Sequence, residues 1–244
     1  MANGGPVANV RARTDERASH ADAVQSMFDR IAPTYDMLNH VMSGGIDILW
    51  RKRAVAALEK APPGAILDLC AGTLDTSAML ARKFPERRIV AADFSREMLA
   101  KGRNKAPTAE VVVADAMDLP FADGEFSAVI CAFGMRNLAE PSRGVAEVKR
   151  VLAKGGVFVT LEFFKPTTWV ARAFHAAYGR VVLPRVGGLI SRDSEAYSYL
   201  AQSIDGFLSC DDYEALLARS QFQSITSESL TFAIGSIVHA RMDL

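Results

Sequence analysis

Residues 65–93, AILDLCAGTLDTSAMLARKFPERRIVAAD, alternate a short apolar run, a small-residue turn, a helical stretch and a second apolar run. After the break at Pro62, Pro63 and Gly64, AILDLC (65–70) reads as a buried strand and AGTLDT (71–76) as a turn. Thr76 to Lys83 reads as a helix, and RIVAADF (88–94) as the next strand. The unit repeats downstream. SREMLAKGRNKA (95–106) is a helix with Ser95 as N-cap, AEVVVADA (109–116) a strand, and MDLPFADGEF (117–126) a loop. SAVICAF (127–133) is a strand, FGMRNLAEP (133–141) a turn, and SRGVAEVKRVLA (142–153) a helix with Ser142 as N-cap. A Lys-Gly-Gly turn then leads to the strand VFVTLEFF (157–164). Strands apolar on both faces and alternating with helices predict an α/β protein with a mostly parallel, doubly wound sheet covered on both sides.

Outward from this core, residues 1–20 carry no apolar periodicity and read as a flexible tail. From Ala21 to about residue 60, Val24, Met27, Phe28 and Ile31 recur at helical spacing. The pattern breaks near Pro33 and resumes through Ile46, Leu49, Trp50 and Val55, which predicts a broken helical lobe. From residue 165 to 208 the strand-helix alternation stops, and the mixed aromatic, apolar and basic residues predict a helical cap insertion. SCDDYEALLARSQF (209–222) reads as a helix capped by Ser209 or Asp211, and two strands close the chain. At 244 residues, half of them hydrophobic, a single domain over residues 21–244 is expected.

Lys plus Arg (28) balance Asp plus Glu (28), so no basic field of the kind that binds a phosphate backbone exists, and no nucleic-acid partner is expected. Cys70, Cys131 and Cys210 lack metal-ligand spacing, so no metal is expected and they read as reduced thiols. No apolar run reaches bilayer length, and the N-terminus lacks a secretory core, which places the expected location in the cytoplasm.

In open α/β sheets, ligands lie outside the carboxyl ends of the strands, where strand order reverses. The first such loop runs from Asp68 to Asp75 and offers Ala71, Gly72 and Thr73, small residues where backbone must approach a ligand. The second strand ends in Asp93 and Phe94, about 20 residues on, where a carboxylate can take two ribose hydroxyls. That pairing alone also fits a dinucleotide. However, a single glycine between Asp68 and Asp75 departs from G-x-G-x-x-G, leaves little bare N–H surface for a pyrophosphate, and sets acids where they would repel it. A cationic sulfonium with an amino-acid tail fits the charge better. Asp115 and Ala116 follow the third strand with an acceptor for an adenine amino group and room for its ring. Ala132, Phe133 and Gly134 end the fourth.

Beyond these loops, FDRIAPTYDMLNHVMSGGIDILWRK, FGMRNL, RVLAKGGVFVTLEF and VLPRVGGLISRDSEAYSYLAQSI resemble the ubiquinone/menaquinone biosynthesis C-methyltransferases from about Val24 to the C-terminus. The resemblance implies a Rossmann-like class I methyltransferase using S-adenosylmethionine. It also implies C-methylation of a polyprenylated quinol ring, either demethylmenaquinol or a methoxy-benzoquinol. By the resemblance, Thr73, Asp93, Asp115 and Ala116 contact the cofactor, while Arg136 and Asn137 line the quinol pocket. The full expected cofactor set is Asp68, Ala71, Gly72, Thr73, Asp93, Phe94, Asp115, Ala116 and Ala132. Three departures stand out. Leu74 replaces the second glycine of the usual Gly-Thr-Gly, Ala132 stands where a serine can occur, and Phe164 replaces the serine of Glu-Phe-Ser-Lys-Pro.

Methyl transfer from a sulfonium needs donor and acceptor carbons held near contact and water excluded. A quinol ring carbon becomes nucleophilic when a ring hydroxyl loses its proton. Arg136 can stabilise the developing oxyanion, with Asn137 as a second donor. Tyr35, Asp36, His40 or a water are the candidates to accept the proton. A prenylated acceptor also implies peripheral contact with the inner face of a membrane, and the segment Trp169 to Leu189 has the composition for it. A homodimer and a complex of quinone-biosynthesis enzymes are the assemblies left open. Two other readings also remain open: the same scaffold acting on another small phenolic acceptor, and a non-catalytic cofactor-binding subunit.

Overall fold

Short runs of branched and small apolar residues, buried on both faces, form the centre of a seven-stranded sheet. A computed structural model describes residues 24–32, 35–36, 43–169, 172, 194–231 and 234–243. The tail at 1–20, His40, and all but Trp169 and Arg172 of the segment from Trp169 to Leu189 lie outside them. The strands are β1 (Ala65–Leu69), β2 (Ile89–Asp93), β3 (Glu110–Val113), β4 (Phe126–Ala132), β5 (Leu152–Glu162), β6 (Gln223–Leu230) and β7 (Gly235–Arg241). Their order is β3-β2-β1-β4-β5-β7-β6. The first five run parallel, and β7 inserts antiparallel between β5 and β6. Strand order therefore reverses between β1 and β4, which places the ligand crevice above their carboxyl ends.

Helical residues 24–31 form α1, followed by α2 (Ile46–Ala56), α3 (Asp75–Lys83), α4 (Arg96–Gly102), α5 (Pro141–Val151), α6 (Ser194–Gly206) and α7 (Cys210–Arg219). Strand alternation divides the core. Ile66, Ile130, Val157 and Val159 meet Trp50, Val55 and Leu74 on one face, while Leu67, Val129 and Phe158 meet Val145, Val148 and Tyr213 on the other. Ser95 caps α4 as expected, its hydroxyl accepting from the Met98 amide, and Ser209 caps α7 in the same way. Ser142 does not cap α5. The cap position is Glu140, and Pro141 takes the first helical position, where its missing N–H costs nothing.

Candidate active site

Four strand ends and α1 enclose one cavity. Its walls include Gly72 from the β1 loop, Asp93 and Phe94 after β2, Asp115 and Ala116 after β3, and Ala132, Phe133 and Gly134 after β4. Asn137 follows from the 3-10 turn Met135–Asn137, and Val24, Gln25, Phe28 and Tyr35 close the cavity from the N-terminal side. Phe28 is the hub of this cover, edge-on to Tyr35, Phe94 and Tyr199. Hydrogen bonds hold α1 in place: the Ser95 hydroxyl donates to Asp29 over 2.5 Å and the Gln25 amide donates to the Phe94 carbonyl over 3.3 Å.

Backbone amides fix Asp93. Its Oδ2 accepts from the Gly72 amide at 2.8 Å and its Oδ1 from the Ser95 amide at 2.9 Å. Each oxygen keeps a second lone pair. Burial raises its pKa from 3.8 to about 6, against the pull of the backbone donors. Asp115 accepts from the Met117 amide through Oδ1. Among the described lining residues, these two acids meet no lysine, arginine or histidine. Such an acceptor set fits a ribose, an adenine and a sulfonium cation, and it repels a pyrophosphate.

Four expected residues lie off the cavity wall. Asp68 shares the face of Ile66 and points beneath the loop, where the Ser77 hydroxyl donates to it over 2.5 Å; burial lifts its pKa to about 7. Ala71 is buried, and its carbonyl accepts from the Leu74 amide at 3.0 Å. Thr73 turns back, its hydroxyl donating to Asp36 at 2.5 Å, while Lys105 bridges Asp36 and Asp75 at 2.6 and 2.7 Å. Burial pushes the Asp36 pKa up, but the bonds from Lys105 and Thr73 outweigh it and leave the pKa lowered, so this carboxylate is a poor proton acceptor. Arg136 is the fourth. It lies in a buried ion pair, Nη1 to Glu162 Oε1 at 2.6 Å, with side chains 7% and 0% exposed.

The β4 turn is built around a strained backbone. Phe133 adopts a left-handed conformation (φ 65°), and its carbonyl accepts from Arg136 Nη1 at 2.8 Å and Asn137 Nδ2 at 3.3 Å. Gly134 is required next to it, because a Cβ there would fall 2.3 Å from that of Cys70. Cys70 lines the cavity, and its free thiol has its pKa raised by a hydrogen bond with the Cys131 thiol and by burial.

Leu74 also adopts a left-handed conformation (φ 64°). It occupies the place of the family glycine, buries its side chain completely, and fits because Gly102 lies against it and the Thr73 carbonyl. Phe164 packs on Phe207 and Tyr213 in the core, which accounts for that departure as packing. Two residues had escaped the sequence reading. Glu162 also accepts from the Arg136 and Phe163 amides, and Tyr199 of α6 donates its hydroxyl to Asn137 Oδ1 at 3.0 Å.

This strand order and crevice are those of an S-adenosylmethionine-dependent methyltransferase. Solved structures share the fold. A SAM-dependent methyltransferase of Thermotoga maritima superposes with a TM-score of 0.63 at 16% identity, covering 89% of this chain and 99% of its own. One from Aquifex aeolicus gives 0.58 at 14% identity, covering 81% and 92%. The chain belongs to the ubiE/COQ5 methyltransferase family, whose model matches residues 14–242. It is 45% identical to the demethylmenaquinone methyltransferase of Thermus thermophilus, with 86% of this chain and 97% of that protein covered. It is 40% identical to the ubiquinone/menaquinone biosynthesis C-methyltransferase UbiE of Geotalea daltonii, with 88% and 94% covered.

Proposed function

We propose that this enzyme C-methylates the ring of a prenylated quinol, either demethylmenaquinol or a methoxy-benzoquinol. The observation that carries the reading is the asymmetry of the cavity. Asp93 and Asp115 stand over β2 and β3, and Phe133 and Asn137 stand across β1 over β4. When bound, S-adenosylmethionine supplies an electrophilic methyl carbon. Asp93 and Asp115 hold its ribose and adenine, and Phe94, Ala116 and Met117 flank the base. Phe133, Tyr35 and Phe28 give a planar acceptor an aromatic slot that excludes water. Asn137, oriented by Tyr199 and the Phe133 carbonyl, hydrogen-bonds a ring hydroxyl. Arg136 supports the turn and the field in which the ring oxygen gains charge. Asp36, committed to Lys105 and Thr73, leaves the proton to Tyr35 or to water.

A prenylated acceptor resides in lipid, so the reading includes peripheral contact at a cytoplasmic membrane face. No described helix is long and apolar enough to cross a membrane. The test is an assay with methyl-tritiated cofactor and short-tailed demethylmenaquinol or methoxy-benzoquinol under reducing conditions. Label on a ring carbon supports the reading. Cofactor binding without transfer to either quinol overturns it.

A further inference from the structure

We propose that the outer face of α2 docks on an anionic lipid bilayer. This deepens the reading above, since it gives the cavity access to the phase that holds a prenylated acceptor. The first turn of α2 exposes three large apolar side chains, Ile46 (38%), Ile48 (36%) and Leu49 (56%). These make up most of the large hydrophobic side chains left exposed among the described residues, and they lie within one turn of a single helix, interrupted by the buried Asp47. One turn further on, Lys52 follows Ile48 at i+4.

A groove between α2 and α3 runs beside them, lined by Ile48, Lys52, Val55, Met79, Arg82 and Lys83 among others. Lys83 is paired with Glu59, and the Asp75 carboxylate that also borders the groove is taken by Lys105. Among the described residues, Lys52 and Arg82 have no acidic partner, so the groove keeps two free cations beside an apolar ridge. Insertion of apolar side chains at the acyl boundary with cations at headgroup level is the chemistry of an interfacial helix on an anionic membrane.

The position suits the role. On its inner side α2 places Trp50 against Phe133 at 6.5 Å and Phe163 at 6.1 Å, and Phe133 is a wall of the cavity. The docked face is therefore about one helix diameter, roughly 10 Å, from the site.

The full chain is sedimented with vesicles of phosphatidylglycerol and phosphatidylcholine, and with phosphatidylcholine alone, in the presence and absence of inorganic phosphate. Wild type is expected to bind the anionic vesicles. Lys52→Glu with Arg82→Glu, and separately Ile46→Ser with Leu49→Ser, should each weaken binding about tenfold or more while S-adenosylhomocysteine binding stays at the wild-type level. Equal binding to both vesicle types, undiminished binding by both variants, or full displacement by millimolar phosphate overturns the proposal. So does a dimer that buries this face and ignores vesicles. Vesicle binding that the variants lose, in a protein that methylates neither quinol, supports the docking face and overturns only the acceptor.

Discussion

Arg136 and Glu162 form a contact of 2.6 Å between two buried side chains, and the same carboxylate also accepts the Arg136 and Phe163 amides. The pair joins the turn after β4 to the end of β5 and so sets where Asn137 and the Phe133 carbonyl point. A buried pair broken on one side leaves an uncompensated charge. Glu162→Ala is expected to destabilise the protein by about 3–5 kcal/mol in urea unfolding. Replacing both residues by leucine should recover much of that loss. Methyl transfer should be lost in both the single and the double variant, and transfer retained by the double variant would reduce Arg136 to scaffolding.

Asp93 predicts two pH dependences of opposite sign. With its ionised form accepting the ribose hydroxyls as proposed above, S-adenosylhomocysteine affinity should be full at pH 8 and fall about tenfold per unit below about 6, by calorimetric titration. Folding behaves conversely. A carboxyl whose pKa is raised by burial binds its proton more tightly when folded, so its penalty on stability is relieved as pH falls through that value. Asp68, lifted to about 7, acts the same way from a higher pH. Asp68→Asn should therefore be more heat-stable than wild type at pH 8 and lose that advantage near pH 5.

Leu74 invites the opposite of a motif-restoring repair. Glycine would relieve a left-handed backbone worth about 1–2 kcal/mol. It would also empty a fully buried leucine site, which costs about 2–5 kcal/mol. Leu74→Gly is expected to lose stability in chemical denaturation, by about 1–3 kcal/mol, despite matching the family pattern.

Tyr199 reaches the site from α6 through one hydrogen bond, to Asn137 Oδ1. Tyr199→Phe keeps the ring that packs on Phe28 and frees the Asn137 amide to turn. Steady-state kinetics should show the KM for the quinol rising several-fold, in line with a bond worth about 0.5–1.5 kcal/mol. The cofactor dissociation constant should not change.

The alternation of apolar runs and helices made the parallel half of the sheet legible, because strands buried on both faces have a distinctive composition. Asp93 is legible for the same reason, as an acid placed where such a strand stops, whereas Asp115 follows the partly exposed edge strand β3. Position along a strand does not reveal which way a side chain turns in the loop beyond it. Thr73 stands in the expected motif yet serves Asp36, 37 residues away. Glu162 pairs with a residue 26 positions earlier, and Tyr199 with one 62 earlier, separations that carry no periodic signal. Glu162 did leave one cue, since a carboxylate closing an apolar strand must find a buried partner. At the start of α5, Pro141 was the better boundary marker than Ser142.

The insertion of β7 between β5 and β6 also bears on how the chain is made. The crevice-forming strands emerge from the ribosome before β7, and residues 157–162 of β5 pair with Ser236–Arg241, which appear only after α6, α7 and β6. Until then β5 presents an open hydrogen-bonding edge, which is a template for association with other nascent chains. Loss of β7 would leave the cofactor loops intact in sequence and expose that edge permanently, so a variant lacking Gly235–Arg241 is expected in inclusion bodies.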